Sequence, residues 1–248
     1  MNKVDNIYSL YQERVASFVF DEKVVAVFDD MIRRSVPGYG AAIAMTMVFA
    51  EQYAQAGSNC YDLGCSLGTS TLAMRKGMTK PDCKIVAVDN SPAMIERCKE
   101  IVAQDLRDVP VEVTLGDIQD IEIERASLVV LNYTLQFLPP TARDAMIQKI
   151  FDGMLPGGCL LLSEKIAFND EAEQKFQIDM HHNFKRLNGY SATEISQKRK
   201  SIENVLIPDT LNKHRERLEM CGFENITLWF QCFNFMSLAA FKGKDVLQ

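Results

Sequence analysis

The apolar positions of this 248-residue chain change their rhythm along its length, and each change predicts a different kind of element. From residue 59 onward, short apolar runs alternate with longer stretches whose apolar residues recur every three to four positions. The short runs read as buried strands at 59–63, 84–88, 111–115, 127–132 and 159–163. The longer stretches read as helices near 70–78, 93–104 and 142–154, the last stopped by Pro156, Gly157 and Gly158. Ser91 before Pro92 predicts an N-cap with proline at the first helical position. Strands of this kind, separated by helices, make a parallel sheet covered on both faces.

After Lys165 the alternation stops. A charged, mostly helical stretch runs to about residue 221, and apolar runs at 226–231 and 233–240 then read as an antiparallel hairpin. Ahead of the first strand, 21–54 predicts helices broken at Ser35-Val36-Pro37-Gly38-Tyr39, a break able to fold over a ligand. The fold class expected is α/β with one domain: N-terminal helices over 1–57, a sheet core over 58–165 and 222–248, and a helical lid over 166–221. A chain that is 47% hydrophobic can build one such core.

A formal charge of −6 argues against a general grip on nucleic acid, which needs clustered Lys and Arg facing phosphates. The seven cysteines contain no C-x-x-C pair and are odd in number, which fits the reducing cytoplasm better than a disulfide framework. Residues 1–20 mix Lys3, Asp5, Glu13 and Arg14 among apolar positions, so no signal-peptide core is expected. The most apolar stretch, 40–50, falls short of the roughly 20 residues that span a bilayer.

The candidate chemistry starts at 59–68, Asn-Cys-Tyr-Asp-Leu-Gly-Cys-Ser-Leu-Gly. A buried strand ending in small residues lets backbone approach a ligand, and the next helix offers unpaired N–H groups. Gly64, Ser66 and Gly68 alternate, unlike the G-x-G-x-x-G dinucleotide fingerprint, which disfavours a pyrophosphate cradle. Asp89 ends the second strand, where a carboxylate can accept hydrogen bonds from a ribose diol. Asp117 follows the third strand and can accept from an adenine amino group. Asn132 ends the fourth and opens on the same crevice. Asp62 either receives the cofactor's ammonium group or holds the glycine turn.

Residues 64–68 also match G-x-S-x-G, but His181, His182 and His214 all sit in the charged helical region rather than after a final strand, which disfavours a serine hydrolase. Adjacent His181 and His182 point to different faces of a helix, so no metal site is expected. Cys65 has no evident base and reads as small-residue packing. The fourth strand is followed by Asn132-Tyr133-Thr134-Leu135 rather than Asn/Asp-Pro-Pro-Tyr, which weakens an amino-group methyltransferase.

Residues 180–217 carry eight Lys/Arg against four acids, a +4 island that leaves −10 on the rest of the chain. Such an island above the crevice suits an anionic small substrate, with Arg199 the first choice for a carboxylate contact. A solvated helical face with ordinary ion pairs is the plain alternative.

The glycine turn resembles motif I of the class I S-adenosylmethionine methyltransferases. Nearly the whole chain resembles the bacterial carboxy-S-adenosylmethionine synthases within that superfamily, through Phe20-Asp21-Glu22, the 34–39 and 61–68 segments, Asp89-Asn90-Ser91-Pro92-Ala93-Met94, Leu162-Ser163-Glu164-Lys165, Ile195-Ser196-Gln197-Lys198-Arg199 and 228–235. The resemblance implies a Rossmann-like methyltransferase sheet with a terminal antiparallel hairpin. It implies an enzyme that converts S-adenosylmethionine and prephenate to carboxy-S-adenosylmethionine and phenylpyruvate. It further implies S-adenosylmethionine or its carboxylated product as ligand, no metal, a homodimer, and a separate tRNA carboxymethyltransferase that uses the product at a wobble uridine. The contacts it implies are Tyr39, Gly64, Cys65, Ser66, Asp89, Asn90, Asp117, Ile118, Asn132 and Arg199. The alternatives are a conventional methyltransferase of a small acid or RNA and a non-catalytic cofactor-binding module.

Overall fold

The computed structural model describes residues 3–243, so residues 1–2 and 244–248, the outer ends of the 1–57 and 222–248 regions, lie outside the described residues. Three helices come first, α1 (Glu22–Val25), α2 (Phe28–Ser35) and α3 (Tyr39–Tyr53). The alternating core follows: β1 (Asn59–Leu63), α4 (Thr69–Gly77), β2 (Lys84–Asp89), α5 (Pro92–Ala103), β3 (Val111–Leu115), β4 (Ala126–Asn132), α6 (Arg143–Gly153) and β5 (Met154–Ala167). The remainder holds α7 (Glu171–Leu187), α8 (Ala192–Ile202), β6 (Asp209–Thr210), α9 (Leu211–Met220), β7 (Glu224–Cys232) and β8 (Phe235–Phe241).

The sheet order is β3-β2-β1-β4-β5-β8-β7, with β6 pairing β5 off that path. β1 to β5 are parallel, and β8 joins antiparallel to both β5 and β7. Because side chains alternate along a strand, β4 sends Val129 and Leu131 to one face and Leu128 and Val130 to the other. The first face packs with Ile147 and Ile150 of α6 and Leu218 of α9. The second packs with Ala50 of α3 and Met74 of α4. Every residue of β4 but the last is buried, as a strand covered on both sides requires.

The expected helices and strands of the alternating region are all present, with ends displaced by a residue or so. Ser91 caps α5 as anticipated, its hydroxyl accepting from the Met94 N–H at 3.2 Å. β5, however, begins at Met154 and runs for 14 residues rather than the five expected. Pro156, Gly157 and Gly158 stop the helix but continue as strand, because the Gly157 N–H bonds the Lys242 carbonyl and the Lys242 N–H bonds the Gly158 carbonyl. The 166–221 region also divides. α7 and α8 rise over the strand ends, whereas α9 buries Leu218 in the main core beneath the sheet. No described helix is long and apolar enough to cross a membrane.

Candidate active site

A cavity of about 320 Å³ lies beyond the carboxyl ends of β1, β2 and β4, where open α/β sheets bind ligands. β1 leads into it through Gly64 at φ +85°, where an added Cβ would lie 2.3 Å from the Thr134 hydroxyl. The backbone curls there because the Gly64 and Cys65 N–H groups both donate to the Val88 carbonyl, at 2.8 and 2.9 Å. Ser66, at φ 50°, then turns its N–H onto Asp89 Oδ2 at 2.9 Å, while the Ser91 N–H donates to Oδ1 at 2.9 Å.

Both Asp89 oxygens are thus aimed by backbone, and each keeps a lone pair for a further donor such as a ribose hydroxyl. Burial raises the Asp89 pKa, opposed by the N–H groups of Ser91, Ser66 and Asn90. Gly116, Asp117 and Ile118 form the neighbouring wall, with Asp117 held by the Gln119 N–H at 2.9 Å. Asn132 closes the floor, its amide donating to Ser70 Oγ at 2.9 Å.

The structure therefore brings Gly64, Ser66, Asp89, Asn90, Asp117, Ile118 and Asn132 to one cavity. Tyr39, Asp62, Cys65 and Arg199 do not line it. Asp62, only 2% exposed, accepts from Thr71 Oγ1 at 2.5 Å, and burial pushes its carboxyl up to about 7. That bond ties the end of β1 to the first turn of α4. Tyr39 stands 6.2 Å from the Tyr133 ring, and Cys65 packs against Cys98. The bond to the Cys98 thiol and burial push the Cys65 thiol far above its usual range, unsuited to a nucleophile. Arg199 lies on the exposed side of α8, one residue from the buried Lys198.

Lys165, Lys185, Lys198 and His181 line the other end of the cavity, and none of them was expected from the sequence to meet a ligand. One sequence signal pointed there: Glu164-Lys165, a charged pair inside an apolar strand. Glu164 is fully buried and accepts from the Leu135 and Gln136 N–H groups at 2.9 Å each, fixing the segment after β4. Burial pushes its carboxyl up to about 8. Aromatic side chains of Phe18, Phe20, Phe28 and Phe137 supply the apolar roof. His181 bonds the Ser35 carbonyl through Nε2 at 2.8 Å, and burial drives its pKa down to about 2, so it stays neutral.

A family profile described as a methyltransferase domain matches residues 61–158. A carboxy-S-adenosyl-L-methionine synthase of Citrifermentans bemidjiense is 58% identical over 241 residues, 97% of this chain and 99% of its own length. One from Escherichia fergusonii is 51% identical over 245 residues, 99% of each chain. The chain belongs to the carboxy-S-adenosyl-L-methionine synthase family.

It is accordingly an enzyme built on the methyltransferase fold. Among solved structures, human N-acetylserotonin methyltransferase in complex with SAM superposes with a TM-score of 0.61 at 14% identity, covering 90% of this chain and 57% of its own. A putative S-adenosylmethionine-dependent methyltransferase of Methanococcus maripaludis gives 0.59 at 19% identity, covering 96% and 100%. Those likenesses extend to the fold alone.

Proposed function

We propose that the enzyme joins S-adenosylmethionine and prephenate, releasing carboxy-S-adenosylmethionine, phenylpyruvate and water. The observation that carries this reading is the division of charge within one cavity: Asp89 and Asp117 at the end reached by β2 and β3, lysines at the end reached by β5, α7 and α8. A nucleoside suits the first end, its diol at Asp89 and its base beside Asp117 and Ile118. An anion suits the second.

The reaction balances without a strong protein base. Prephenate breaks its bond to the ring carboxylate and expels hydroxide as the ring becomes aromatic. Hydroxide takes a proton from the sulfonium methyl, and the resulting carbanion forms its new bond to the carbon dioxide set free. The chain's task is to hold both partners in register and keep water out, which the phenylalanine roof favours. Arg199 is the proposed partner of the new carboxylate, its side chain turning inward from the exposed side of α8. We further infer a homodimer whose product serves a tRNA carboxymethyltransferase.

Incubation of the purified enzyme with S-adenosylmethionine and prephenate, followed by mass spectrometry, tests the reading. A carboxyl gain on the cofactor, dependent on prephenate, is expected. Methyl transfer to an acid or an RNA, with no carboxylated cofactor, would establish the conventional methyltransferase instead. Arg199→Ala should lower turnover and speed release of the carboxylated product with the melting temperature unchanged.

A further inference from the structure

Lys165 leaves β5, Lys185 comes from α7 and Lys198 from α8, yet all three line one end of the cavity. Among the described residues, none of the three forms an ion pair with a carboxylate. The Lys198 ammonium reaches only Ser35 Oγ, at 3.3 Å, and lies 6.0 Å from the Tyr190 ring centre. Asp5 is the acid that acts on Lys185 and Lys198, and its carboxylate is already engaged by the Tyr190 hydroxyl at 2.5 Å. Lys198 is buried and Lys165 and Lys185 are half-buried, and lysines are rarely withdrawn from water without a partner, because desolvation opposes their charge. Three at one place leave a site that is short of negative charge.

Asp89 ends β2 while Lys165 lies on β5, three strand spacings away, so the two ends are separated by roughly 14 Å of sheet. That distance accommodates two ligands side by side rather than one. Resting on the proposed reading of the cavity, we propose that Lys165, Lys185 and Lys198 form the recess that takes the carboxylates of the second substrate, and that its two carboxylates fit this recess better than one.

The titration behaviour agrees. Burial pulls Lys185 down to about 7 and Lys198 to about 8, and burial followed by the Arg199 charge lowers Lys165. The other charged or titratable groups facing them are His181 and His182 of α7, Arg34 of α2, and Asp5 and Tyr190. An arriving dianion restores the ammonium charge, so binding at pH 8 takes up protons.

Calorimetry on the full chain, saturated with S-adenosylhomocysteine and titrated with prephenate or phenylpyruvate, tests the recess. Prephenate should bind more tightly than the monocarboxylate, with proton uptake at pH 8 seen as a buffer-dependent heat. Lys185→Met and Lys198→Met keep the apolar stem and should each weaken prephenate at least tenfold. They should change S-adenosylhomocysteine affinity less than twofold, and Lys198→Met, which removes the buried one of the two ammonium groups, should raise the melting temperature. A purely structural lysine would lower it. Unchanged prephenate affinity in both variants, or binding of neither acid to the wild type, overturns the recess. Binding that follows the lysines without carboxylation of the cofactor sinks the proposed reaction and leaves the recess standing.

Discussion

At Asp89 the carboxylate is oriented before any ligand arrives, because Ser66 and Ser91 each spend a backbone N–H on it. Asp89→Asn retains the shape but turns an amide N–H₂ toward one of those donors. S-adenosylhomocysteine affinity should fall roughly 10- to 100-fold by calorimetry, the 1–3 kcal/mol of a mispaired buried polar group. Gly64→Ala should cost about 1–3 kcal/mol in urea unfolding, because a side chain at φ +85° is strained and Thr134 must move. These residues were legible in the sequence, since strand ends and glycine turns are local features. The lysine recess was not. Lys165, Lys185 and Lys198 sit far apart in sequence on three elements, and nothing in the +4 island distinguishes the two that line the cavity from Arg199, which does not line it.

Between elements, the tie that sets the roof over the floor is Arg143 at the start of α6, with no exposed surface at all. Its guanidinium donates to the carbonyls of Gln136, Leu138 and Ile207 and to Asp209 Oδ2 at 2.8 Å. Burial raises Asp209, but bonds from Lys213, Arg143 and Arg217 override it and hold the carboxyl well below its usual range. Arg143→Met strands three carbonyls and should lose about 3–5 kcal/mol in urea unfolding. Arg143→Lys should rescue little, since one ammonium cannot span four acceptors. The sequence reading saw α6 but not this junction. Arg143 resembles any surface helix arginine, and the two-residue β6 is too short to leave a periodic trace.

Across the whole molecule, acid stability should report His214. The ring is buried, receives the Arg217 guanidinium at Nδ1 and leaves Nε2 unpartnered. Burial and then the Arg217 charge lower its pKa from 6.5 to about 4. Below pH 6.5 the unfolded chain binds a proton that the folded chain refuses, so this contribution is full above 6.5 and is lost as pH falls toward 4. Relative to His214→Gln, the wild type should lose about 2 kcal/mol of unfolding free energy between pH 7 and pH 5, measured by urea titration. At this scale the parallel sheet and its terminal hairpin were foreseeable from the alternation of runs, whereas the placing of Phe18 and Phe20 against the cavity was not, because they sit in a stretch without helical or strand period. β5 carries the last consequence. One unbroken strand supplies Lys165 to the ligand chamber and, with its next two residues, Ile166 and Ala167, pairs with Asp209 and Thr210 of β6. That stretch of chain is moored to the sheet itself, whereas the segment ahead of α1 is held only to α8, where the Phe18 N–H donates to the Ser201 carbonyl and the Gln197 amide donates to those of Tyr8 and Leu10. Deuterium should enter the Phe18 amide quickly in the empty enzyme and slowly once the chamber is filled.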